Sequence, residues 1–130
     1  SALPQEISSL NKYGVLIIKK WMPHSEVFSF LALCDYGWLV REKSITNEVA
    51  FPVKFAEYLF CGLKVIISPH ILAPASFVEK HGCGLIVKAP EDIPELAPLE
   101  FSEKRYLHNL ALTHLTKKSF IEEYKRIIAL

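Results

Sequence analysis

The feature that most constrains the fold is a set of four short, nearly unbroken apolar runs separated by segments of helical pattern. They are VLIIKKW from Val15, YGWLVRE from Tyr36, KVIIS from Lys64 and CGLIVK from Cys83. A strand with one wet face alternates polar and apolar residues, whereas one that is apolar throughout is covered on both faces. Such runs, alternating with helices, predict right-handed βαβ crossovers and a parallel sheet of about four strands flanked by helices. The fold class expected is α/β, Rossmann-like, with residues 1–130 forming a single domain.

The segments between the runs set the helices. Pro4 to Lys12 is expected to form a short helix with Pro4 in its first turn. Glu26 to Cys34, Pro52 to Cys61 and Ala75 to His81 follow, the last ended by Gly82. KSITNE and PHILAP read as loops. Pro90, Pro94 and Pro98, interleaved with acids, predict a stiff linker. C-terminal helices begin at about Ser102, over Ser102 to Lys118 and Ser119 to Leu130. The second carries Phe120, Tyr124, Ile127 and Ile128 on one stripe.

Composition narrows the partners. A chain of 130 residues, 51% of them hydrophobic, can bury a core without staples. Its net charge of +1 offers no basic field to nucleic acid or acidic lipid. The apolar stretch from Val27 to Val40 is broken by Asp35 and too short to cross a bilayer, and no basic-then-apolar leader opens the chain. Cys34, Cys61 and Cys83 are odd in number and contain no CxxC pair. Free thiols in a reducing compartment, the cytoplasm, fit better than a disulfide framework or a zinc site.

Open parallel sheets bind ligands outside the carboxyl ends of their strands. That rule selects the loops Arg41 to Pro52 and Pro69 to Pro74 and the segment after Lys88. The first is the most polar, with Arg41, Glu42, Lys43, Ser44, Thr46 and Asn47. It feeds a helix in which Pro52, at the first position, would leave the amides of Val53, Lys54 and Phe55 as outward donors, a seat for phosphate or diphosphate. Lys54 and Glu57 fall on one side of that helix. Their spacing leaves two readings open: an i,i+3 ion pair on a solvated face, worth a few tenths of a kcal/mol, or a carboxylate that accepts hydrogen bonds from a ribose diol. The histidines form no catalytic set, since His108 and His114 cannot share a face as HExxH histidines do. GxSxG, P-loop and GxGxxG motifs do not occur.

The runs PHSEVFSFLALCDYGWLVRE, NEVAFPVKFAEYLFCGLKVIIS and FVEKHGCGLIV resemble, in order, the C-terminal, donor-binding half of GT-B-fold glycosyltransferases, especially bacterial ones that build surface polysaccharides. The most specific piece is PVKFAEYLFCGLKVI. The resemblance implies that Glu57 holds the ribose hydroxyls of a nucleotide-diphosphate sugar and that Val53 and Lys54 face its diphosphate and sugar. It places Arg41 and Asn47 in the matching loop and assigns no catalytic residue. No metal or cofactor is implied. Two departures stand out: many members carry a first glutamate where this chain has Val49, with Glu48 one residue off, and a proline where it has Lys64.

Enzymes of this fold have two similar domains with the reaction in the cleft between them, and the C-terminal one begins with two further βα units. The chain is thus expected to be a piece of an enzyme, lacking an N-terminal acceptor domain and inactive alone. With the neighbours of its first strand missing, self-association through an exposed sheet edge is expected. A non-enzymatic α/β interaction module is the competing class.

Overall fold

The computed structural model describes residues 8–10, 16–18, 20–49 and 51–116. Strands β1 (Ser8–Leu10) and β2 (Leu16–Ile18) pair antiparallel, with Ser9 opposite Ile17. The helix expected over Pro4 to Lys12 is therefore a strand at residues 8–10, its other residues lying outside the described ones. Only residues 11–15 separate the two strands, so antiparallel pairing needs no long crossover. The run from Val15 consequently contributes to a separate two-stranded sheet.

The chain continues through α1 (His24–Leu31), β3 (Tyr36–Leu39), α2 (Ile45–Val49), α3 (Val53–Phe60), β4 (Lys64–Ile67), α4 (Leu72–His81) and β5 (Gly84–Ile86). A turn of 3-10 helix at Pro90–Asp92 and the long α5 (Phe101–His114) complete the described part. Strands β3, β4 and β5 form a parallel sheet in that order, with Gly37 opposite Val65 and Val65 opposite Gly84. This is the expected α/β class, with three parallel strands where about four were expected.

Burial on both faces holds for the central strand only. Val65, Ile66 and Ile67 of β4 are all buried, whereas Trp38 of β3 and Ile86 of β5 are exposed. The core lies where α3, α4 and α5 meet β4: Phe55 and Leu59, Ile71 and Val78, and Leu107 and Leu110 close around Val65 and Ile67. Fully burying a side chain such as Phe55 contributes roughly 1.5–3 kcal/mol. Its ring meets Phe51 at 5.6 Å and Phe77 at 5.7 Å, both edge to face.

Two glycines permit the close approaches. A Cβ on Gly84 would lie 2.1 Å from the carbonyl oxygen of Val65, and one on Gly37 would lie 2.3 Å from the Tyr58 ring. The three cysteines are free. Burial pushes the Cys83 thiol up to about 11, which keeps it protonated and unreactive.

Several helix bounds differ from expectation for local reasons. α4 begins at Leu72 because Pro74, expected in a loop, fits within the first turn, where a missing N–H costs nothing. It ends at Gly82, left-handed at φ 64°, as its sequence predicts. α5 starts at Phe101, where the Glu103 carboxylate accepts from the Glu100 amide at 3.5 Å. It ends at His114, short of the expected Lys118, and the helix expected over Ser119 to Leu130 lies outside the described residues.

Helix α5 fastens the amino ends of all three parallel strands. The Lys104 ammonium donates to the Cys34 carbonyl ahead of β3 and to the Gly62 carbonyl ahead of β4, the latter at 3.2 Å. Glu103 lies 3.4 Å from Lys64, the first residue of β4. The Tyr106 hydroxyl donates to the His81 carbonyl, at 2.7 Å, ahead of β5. The carboxyl ends are left to the loops.

Candidate functional site

At the carboxyl ends, Ser68 is the one buried polar residue among those described. Its hydroxyl accepts from the Arg41 amide at 2.6 Å and donates to the Arg41 carbonyl at 3.0 Å. The end of β4 thereby fixes the backbone where the chain leaves β3, which sets the starting point of the 41–52 loop. The sequence showed Ser68 only as the polar last letter of an apolar strand.

That loop is more ordered than a polar stretch suggests. Ser44 caps the one-turn helix α2: its hydroxyl accepts from the Asn47 amide at 3.0 Å, and its carbonyl accepts from the Glu48 amide at 2.9 Å. The Asn47 side-chain amide donates to the Glu42 carbonyl at 2.6 Å. Asn47 therefore shapes the loop, and its amide nitrogen is already engaged within it. Ile45 and Val49, one turn apart on α2, are 82% and 79% exposed. Val53 and Leu72, which open α3 and α4, are exposed as well, so apolar side chains rim the mouth.

The start of α3 differs from the expected one by a residue. Pro52 is the N-cap, in extended conformation with φ −62° and ψ 135°, and Val53 is the first helical residue. Proline before the first turn still costs no hydrogen bond, but the Phe55 amide donates to the Pro52 carbonyl at 3.0 Å. Phe55 is thus not an outward donor, as expected for it, and its side chain is wholly buried. Helix geometry leaves the Val53 and Lys54 amides as the donors at this end.

Lys54 and Glu57 form the ion pair their spacing predicts, with Nζ 3.1 Å from Oε2. The face is not the solvated one of a simple surface pair: the Lys54 side chain is 51% exposed, but that of Glu57 only 15%. Glu57 Oε2 is sealed from solvent without a well-directed hydrogen bond, so the lysine is its charge partner by proximity alone. The outcome is a largely withdrawn carboxylate with one oxygen held beside a lysine.

Tyr58, which sequence reasoning passed over, draws the charges together. Its ring lies against Gly37, and its phenol lies within electrostatic range of Lys54, Glu57 and Arg41. Burial raises its pKa most, Glu57 adds to the rise, and Lys54 and Arg41 oppose it. A glycine inside a strand signals close approach by a neighbour, and Gly37 could have pointed to it. Of the residues expected at the site, Arg41, Lys54 and Glu57 lie within electrostatic range of Tyr58, Val53 opens the same helix, and Asn47 is held within its own loop.

An open groove of about 410 Å³, lined in part by Glu57, runs between α3, Phe28 of α1 and the end of α5. Burial raises the Cys61 thiol pKa at the end of α3, with Glu57 the next contributor. Among the described residues no group of three or more His, Cys, Asp or Glu side chains could hold a metal ion, and no helix is long and apolar enough to cross a membrane. Comparison of the chain with protein-family models, with curated proteins and with solved structures gave no match.

Proposed function

We propose that this chain is the donor-binding part of a GT-B-type glycosyltransferase, taking a nucleotide-diphosphate sugar at the carboxyl ends of β3 and β4. The observation that carries the reading is the Glu57 carboxylate. Lys54 holds one oxygen, the side chain keeps 15% of its surface exposed, and the pair sits in the first turns of a helix that starts at the ligand end of a parallel sheet. In this reading the Glu57 carboxylate accepts the two ribose hydroxyls. The Val53 and Lys54 amides, with the positive end of the α3 dipole and the Lys54 ammonium, face the diphosphate. Arg41, its backbone fixed by Ser68, adds a second cation within reach of Tyr58.

In the whole enzyme the bond from the sugar anomeric carbon to the diphosphate breaks as the acceptor oxygen bonds to that carbon. The negative charge then gathers on the departing diphosphate, where amides and cations aimed at it lower the barrier. Acceptor binding and positioning belong to a second domain, and the 130-residue chain alone turns over no sugar. The surface polysaccharides of bacteria are the products this reading favours, and the cytoplasm, where nucleotide sugars are made, is its compartment.

The exposed Ile45, Val49, Val53 and Leu72 favour a second reading, an interaction module whose apolar rim meets a partner protein. Nucleotide decides between them. Ligand-observed NMR with millimolar nucleoside diphosphate is expected to show saturable binding that shifts the signals of Val53, Lys54 and Tyr58. Absence of binding, with those signals moving only on self-association, favours the module.

A further inference from the structure

Helices α4 and α5 end beside each other, and each ends on a histidine. His81 is the last residue of α4 and His114 the last of α5, and their ring centres lie 4.9 Å apart with planes inclined at 37°. Phe77, which packs against the core, stands next to both, its ring 4.3 Å from that of His81 and 5.9 Å from that of His114. The pair itself reaches water, since His81 is partly exposed and His114 is exposed.

That spacing has a chemical meaning. Two imidazole nitrogens that bind one ion at about 2.0–2.1 Å, with a right-angled to tetrahedral opening between them, hold their ring centres roughly 4.5–5.2 Å apart. The observed separation falls within that span, and the inclined rings are not stacked face to face. Each helix end also brings the negative end of its dipole, which favours a cation between them. Lys80, beside His81 on α4, opposes one. Neutral imidazole is the form that takes a metal, and desolvation, His114 and Lys80 together lower the His81 pKa, so that form prevails at neutral pH.

We propose that His81 and His114 together bind one divalent ion of the imidazole-preferring class, zinc or nickel, and that the ion clips the end of α4 to the end of α5. Imidazole nitrogen selects such metals over magnesium and calcium, which take oxygen. Two protein ligands leave the remaining positions to solvent, so the ion exchanges, unlike one in a closed four-ligand site. The two histidines are far apart in sequence and meet only in the fold, so the ion binds the folded chain in preference to the unfolded one and stabilises it. The clip lies ahead of β5, at the opposite end of the sheet from the start of α3, and does not depend on what Glu57 binds.

The test uses the full chain with nickel chloride, and magnesium chloride as control. One equivalent of nickel should be taken up near pH 7.5 and released near pH 5.5, where protons compete for the imidazoles. Uptake should broaden the NMR ring signals of His81 and His114 together and, at saturation, raise the melting temperature by about 5 °C or more. Magnesium should do neither. His81→Gln and His114→Gln should each weaken uptake about tenfold or more, because a lone imidazole loses the gain of two linked ligands. His24→Gln, at the exposed start of α1, should leave uptake unchanged. Absence of uptake, broadening of one ring without the other, or uptake that survives either glutamine substitution at the pair would overturn the proposal. So would nickel that binds only by joining two chains into a dimer.

Discussion

Where the three parallel strands begin, side chains of α5 reach every entry point; where they end, one serine joins two of them. Lys104, Glu103 and Tyr106 meet the segments leading into β3, β4 and β5. At the opposite end the Ser68 hydroxyl ties the backbone after β3 to β4, the Val87 amide donates to the Ile67 carbonyl, and exposed apolar residues surround the opening. The difference teaches a division of labour within a small sheet. Side-chain contacts from a helix collect at one end, which frees the loops of the other for a ligand or a partner.

The comparison can be broken by substitutions at either end, and the largest effect is expected at the strand entries. Gly84→Ala sets a Cβ against the Val65 carbonyl, a backbone atom that no side-chain rotation can move. A loss of about 3 kcal/mol, read from the denaturant midpoint, is expected. Lys104→Met comes next, at about 2 kcal/mol, because it removes the charged donor of two backbone carbonyls. If Lys104→Met left the midpoint unchanged, α5 would not be the fastener described above.

Acid should act at the same end. His81 closes α4, its ring 4.9 Å from that of His114, and its pKa is lowered chiefly by desolvation, then by His114 and Lys80. A histidine that resists protonation when folded supports the fold above the ordinary histidine pKa. That support is lost as pH falls through about 6.5 toward the lower folded value. The melting temperature should therefore drop between pH 7.5 and 5.5, and drop less in His81→Gln. The smallest change in stability belongs to the ligand end. Lys54→Met takes away a half-exposed lysine but leaves the sealed Glu57 oxygen without its charge partner, and about 1 kcal/mol is expected.

The sequence made the architecture legible where pattern and burial agree. KVIIS reads as a strand covered on both faces and is one, and Gly82 ends α4 as its chemistry requires. The first run misled because an apolar β-branched stretch says that it is a strand but not which neighbour it takes, and Ser8–Leu10 was close at hand. Of the site, the Lys54–Glu57 pair was visible from spacing. The unequal burial of its two members was not, because Phe28 and the end of α5 lie far from α3 in sequence. Ser68, Tyr58 and Lys104 act through distant backbone or rings, which no local pattern encodes.

The central claim is that Glu57 is held for a ligand and not for the fold, and Glu57→Gln tests it most directly. Calorimetry with millimolar nucleoside diphosphate, beside a denaturation curve, measures both properties on one variant. A charged acceptor of ribose hydroxyls contributes about 1.5–3 kcal/mol, so affinity should fall roughly tenfold to a hundredfold while stability moves by less than about 1 kcal/mol. Lys54→Met should weaken the same binding with a salt dependence that Glu57→Gln lacks, since only the lysine acts on phosphate charge. Equal binding by wild type and Glu57→Gln, with stability lost instead, would contradict the account.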